Sequence, residues 1–115
     1  MRLKSTAFAI LALGASSIAN AATPAENLDC AVWTSVMMDQ SDDPDATSGL
    51  GFTLSWFIGL YEGATGQEID DAIFVRASNM TSEELDALGP GCLDRMSVFG
   101  DRLASLADRL ESEGN

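Results

Sequence analysis

The sequence predicts an all-α fold: a small single-domain bundle of four to five helices around a central apolar helix at about residues 50–62, with one disulfide. Three observations lead there. Apolar residues recur at spacings of three and four, and no segment shows the two-residue alternation of a strand. Helix-opening signatures of the Thr-x-x-Glu type recur along the chain. The only two cysteines, Cys30 and Cys92, lie far apart in a chain that reads as exported, where an even pair is expected to be joined.

The export reading rests on the first 21 residues. Arg2 and Lys4 form a basic start, Ala7 to Leu13 an apolar run, and Ala19-Asn20-Ala21 a small-x-small cleavage site. The apolar run is too short to cross a bilayer, so residues 1–21 are expected to be removed and 22–115 to form the single helical domain, with no membrane span in the mature form. That domain is large enough for one modest core.

The first helix is expected over residues 25–40. Thr23-Pro24-Ala25-Glu26 reads as a capping box with proline at the first helical position, and Leu28, Val32 and Val36 follow on one stripe. The stretch from Asp39 to Gly49, rich in aspartate and small polar residues around Pro44, is expected to be a solvated loop, with Asp45 or Thr47 capping the next helix. Leu50 to Tyr61 is apolar around nearly its whole circumference and is bounded by Gly63, which makes it the central helix. Thr65 and Glu68 suggest a second capping box and a helix over about 66–79, carrying Ile69, Ala72, Ile73 and Ala77. Thr81 and Glu84 open a short helix expected to stop at Gly89-Pro90-Gly91. From Asp94 the chain repeats as DRMSVFG, DRLASLA, DRLESEG, a seven-residue period that places Met96, Phe99, Leu103, Leu106 and Leu110 on one seam. Arg95, Arg102 and Arg109 line one flank of it, positioned to reach carboxylates on a neighbouring helix.

Composition narrows the chemistry. Without Arg2 and Lys4 the domain sets four arginines against 18 carboxylates, a net charge of −14, with no lysine and no histidine. A field of that sign repels nucleic acid and anionic lipid. Lack of histidine removes the usual proton shuttle of a hydrolase, and the cysteine spacing is neither that of a redox motif nor, with only two sulfurs, that of a zinc site. The expectation is a non-enzymatic protein with no cofactor and no metal. Asp39, Ser41, Asp43 and Asp45 alternate as oxygen donors do in a calcium loop, but Pro44 stands where a glycine belongs and Leu50 where a bidentate glutamate belongs. A solvated loop is the favoured reading. Phe52, Trp56, Phe57 and Tyr61 are the candidate residues for binding a client or partner, with burial in the core as the competing account.

The leader, the widely spaced cysteines, the glycine-aromatic helix between them (Gly51-Phe52, then Trp56-Phe57-Ile58-Gly59) and the amphipathic last helix together resemble the small periplasmic acid-stress chaperones of the HdeA and HdeB type. Cys30, Cys92 and the Gly51-Phe52 pair are the positions with counterparts in that family. The resemblance implies a periplasmic, single-disulfide helical domain that dimerises near neutral pH and holds unfolded proteins on apolar surface exposed in acid. Independently, protonation of the carboxylates below about pH 3 takes the charge from −14 to about +5, the four arginines and the amino terminus remaining. The alternative is a periplasmic protein- or lipid-interaction subunit that docks a specific partner through helix 50–61 at neutral pH.

Overall fold

A computed structural model describes residues 21–114, so the leader through Asn20 lies outside the described residues. The described residues form four α-helices and no strand: α1 (Pro24–Gln40), α2 (Pro44–Thr65), α3 (Asp70–Asn79) and α4 (Ser82–Gly114).

α1 opens as its sequence dictates. The Glu26 backbone N–H donates to Thr23 Oγ1 at 3.2 Å while the Thr23 N–H donates to Glu26 Oε1 at 2.9 Å, a reciprocal box ahead of Pro24 at the first turn. Its five consecutive residues Cys30 to Thr34 are all buried. Five consecutive residues go more than once round a helix, so α1 is enclosed on every side, and α2, α3 and α4 each pack against it. The polar member of the run is satisfied locally, Thr34 donating to the Cys30 carbonyl at 2.6 Å.

α2 contains the apolar stretch expected at about 50–62 but extends beyond it at both ends. The solvated loop expected over 39–49 shrinks to residues 41–43, because Asp43 caps the helix: its side chain accepts from the Asp45 N–H at 3.0 Å, and Pro44 takes the position that lacks a use for its missing N–H. The helix passes Gly63 and ends at Gly66, which adopts the left-handed conformation (φ 70°) that a Cβ would disfavour. Phe57 is the largest fully buried side chain and fixes α2 to α1.

The expected box at Thr65 and Glu68 does not form. Thr65 belongs to the end of α2, donating its hydroxyl to the Tyr61 carbonyl and accepting from the Gln67 N–H. α3 instead begins at Asp70 behind Ile69, whose N–H is taken by the Glu62 carboxylate at 3.0 Å. Ile69 is buried in the core and anchors the turn.

The box at Thr81 and Glu84 does form, but the helix it opens is not short. α4 runs for 33 residues straight through Pro90. Proline removes an N–H and crowds the residue before it, at a cost of about 3 kcal/mol inside a helix. Gly89 has no Cβ to be crowded, and packing secures the helix on both sides of the interruption: Gly89 is buried against the Trp33 indole, and Cys92 is bonded to Cys30.

That disulfide joins residues 62 apart, with Cα atoms separated by 5.5 Å and both cysteines buried in the core. In the chain-entropy model such a crosslink stabilises by about 4 kcal/mol. Around it gather Ala31, Trp33, Phe57 and Ile69, with Leu28, Leu54, Ile73, Leu85 and Leu88 partly covered at the edges.

Candidate interaction surface

The aromatic residues of α2 divide according to which way the helix turns. Phe57 is 0% exposed and belongs to the core, so it leaves the group of candidate partner-binding residues. Tyr61 is half-buried against the core cluster. Trp56, also half-buried, stacks on Phe99 of α4 with ring centroids 4.5 Å apart and planes within 8°, and meets Phe57 at 5.2 Å. Phe52 stands out on the surface, 70% exposed.

Arg95 closes this cluster. Its guanidinium lies 4.8 Å from the centre of the Phe57 ring and 5.5 Å from that of Trp56, and donates to the buried Asn27 side chain through Nη2. Nη1 is buried without a hydrogen-bond partner. Burial pulls the group below the usual arginine range, against the opposing influence of the Glu26 charge. The flank of arginines is therefore not uniform. Arg95 is held by aromatic faces and an amide, Arg109 pairs with Glu113 of its own helix at 3.9 Å, and Arg102 enters none of the ion pairs of the described residues. The cation that joins helices by ion pairs is Arg76, whose Nε donates to Asp29 at 2.7 Å and whose Nη2 reaches Glu84 at 3.5 Å.

The last stretch of α4 is where the expected seam parts from the structure. Residues 101–114 are exposed throughout. Leu103, Leu106 and Leu110 project from this helix face uncovered, Leu110 being 74% exposed. The face leads back into an apolar groove of about 460 Å³ between the start of α2 and α4, lined by Ala46, Leu50, Phe52 and Thr53 on one wall and Met96, Phe99, Gly100 and Leu103 on the other. Heptad spacing alone predicts an intramolecular seam for these leucines. Nothing in the repeat marks them as surface: only once α4 is seen to pass Pro90 does its 33-residue length exceed the 17 of α1 and the 22 of α2.

The calcium-like donor series is divided by a helix boundary: Asp39 lies in the last turn of α1, Asp45 in the first turn of α2, and Asp43 is engaged as the cap between them. Among the described residues no group of three or more histidine, cysteine, aspartate or glutamate side chains is placed to hold a metal ion, and no helix is long and apolar enough to cross a membrane.

Comparison with protein-family models, with curated proteins and with solved structures finds no match to this chain.

Proposed function

We propose that this chain is an exported, non-enzymatic holder of apolar polypeptide segments, of the periplasmic acid-stress chaperone type. The observation that carries the reading is the apolar strip running from Phe52 through the α2–α4 groove to Leu110, of which Phe52, Leu103, Leu106 and Leu110 are exposed. At neutral pH the mature charge of −14 repels acidic clients and limits what reaches the strip. Below about pH 3 that barrier is gone, while four arginines, two of them beside the strip, keep the protein cationic and soluble. Unfolded clients bind by their apolar side chains, with no chemistry required of the holder. Of the four aromatic candidates, Phe52 serves this role, joined by Leu103, Leu106 and Leu110, with Trp56 behind it stacked on Phe99.

The test is aggregation of an acid-unfolded client at about pH 2.5. Wild-type protein is expected to suppress light scattering, and a Leu103→Ser/Leu106→Ser/Leu110→Ser variant to lose most of that effect while keeping its helical circular dichroism. Equal activity of the two proteins, or none in either, rejects the reading.

A second reading has its own support. The strip is open in the folded protein without any acid-driven rearrangement, as docking to one specific partner at neutral pH requires. Because Phe57 is core, such docking uses Phe52 together with α4 rather than helix 50–61 as a whole. A stable complex recovered at neutral pH, with no client holding in acid, selects this alternative.

A further inference from the structure

The attachment of α3 to the rest of the fold uses only one of its sides. Ile69, just ahead of the helix, is buried; Ile73 packs on the core cluster, and Arg76 is occupied by Asp29 and Glu84. Residues four apart share a helix face, so the opposite side reads Asp70-Asp71, then Phe74-Val75, then Ser78-Asn79, and all six are exposed. Phe74 is 76% exposed and Val75 61%. Beside Val75 an open groove of about 460 Å³ lies between α3 and Leu28 of α1. The charges next to this apolar pair are of one sign. Asp70 and Asp71 stand one turn before it and Glu68 is exposed ahead of them, and none of the three enters an ion pair of the described residues. The single cation of α3, Arg76, is already committed.

We propose that this face of α3 captures cationic amphipathic helices of other polypeptides at neutral pH. The apolar side of such a helix covers Phe74 and Val75 and reaches into the groove towards Leu28, while its lysines and arginines meet Glu68, Asp70 and Asp71. Charge complementarity selects this occupant. Pairing of the face with itself sets acid against acid, and nucleic acid and anionic lipid are repelled by the same carboxylates. The domain as a whole, at −14 and without a lysine, draws cations towards the site before contact. A chain that carries it takes up basic amphipathic peptides that otherwise settle on anionic lipid through the same two forces, apolar burial and charge. The proposal does not rest on client holding, which uses the strip between α2 and α4 and is read in acid, where the carboxylates of α3 are protonated.

The experiment is fluorescence anisotropy of a labelled Lys/Leu amphipathic peptide of about 18 residues, titrated with the disulfide-intact mature chain at neutral pH and about 0.15 M salt. Saturable binding in the micromolar range is expected. Phe74→Ser/Val75→Ser is expected to weaken it by about tenfold or more, and Asp70→Asn/Asp71→Asn by about threefold with a shallower dependence on salt. Asp101→Asn/Asp108→Asn, which removes the same charge from the exposed end of α4, is expected to stay within about twofold of wild type, as is the triple serine variant of the α4 leucines. The substituted side chains are all exposed, and circular dichroism of each variant checks its fold. Absence of saturable binding overturns the proposal. So does an equal loss in the two aspartate variants, which assigns the attraction to the net charge alone. Equal binding of a Glu/Leu peptide of the same apolar pattern removes charge complementarity from the account and overturns it too, and self-association of the chain that is lost with Phe74 and Val75 gives the face to a second copy instead.

Discussion

Arg95 shows how one side chain can serve a core without an ion pair. Its stem and guanidinium fill the space between α1, α2 and α4, stacked against Phe57 and Trp56, yet one nitrogen is buried without a partner. Packing and the aromatic faces favour the residue, and desolvation opposes it. The expected outcome is that Arg95→Met, which keeps the stem and removes the stranded donor, stays within about 1 kcal/mol of wild type in denaturant unfolding, while Arg95→Ala loses about 1–3 kcal/mol. If methionine costs as much as alanine, the guanidinium, with its bond to the buried Asn27 side chain, and not the volume of the stem holds the cluster. The heptad groups Arg95 with Arg102 and Arg109, since sequence spacing carries the shared flank of a helix but not the point at which the neighbouring helices end.

At the scale of elements, the accurate sequence signals are those in which donor and acceptor lie within one helical turn. The boxes at Thr23–Glu26 and Thr81–Glu84 form as expected. The boundaries that differ involve competition. Asp43-Pro44 is as good a helix start as it is a loop breaker, and the choice depends on whether the residues after it are packed. Thr65 has two uses and is taken by the end of α2. Pro90 carries the signature of a stop, yet the disulfide beside it and the Trp33 contact hold both sides in register. Periodicity gives α1 one apolar stripe, whereas the contiguous Cys-Ala-Val-Trp-Thr run is buried on all sides and makes it the element the others share. Because residues 101–114 are exposed throughout and only Leu103 reaches the groove, a chain ending at Gly100 should remain folded, with its thermal midpoint changed by no more than about 3 °C. Loss of a cooperative transition in that shortened chain rules out the division between a supporting core and a free helical arm.

For the whole molecule, acid acts in opposite senses on two sets of carboxylates. The majority, crowded on residues 22–115 with their net charge of −14, repel one another, and their neutralisation relieves that repulsion. Glu26 and Glu84 differ. The Thr23 N–H, then the Thr23 hydroxyl, hold the Glu26 carboxyl below the usual range, and Thr81 does the same for Glu84 with a smaller contribution from Arg76. A carboxyl whose folded pKa is depressed stabilises the fold fully above its unfolded value of 4.5, and that contribution disappears as pH falls through the folded value. Denaturant midpoints of wild type and of Glu26→Gln/Glu84→Gln should therefore differ most above about pH 5 and converge in strong acid. A gap that widens as pH drops reverses the sign of this account.

The two tryptophans divide the molecule between them. Trp33 is sealed in the interior against Gly89, while Trp56 lies at the root of the arm, stacked on Phe99 and under Arg95. The protein thus carries two intrinsic optical probes at different depths, one reporting cohesion of the interior and the other occupancy of the outer face. In a Trp33→Phe background, emission from the remaining indole follows the arrival of any bound chain directly, without a label and without waiting for the fold to melt.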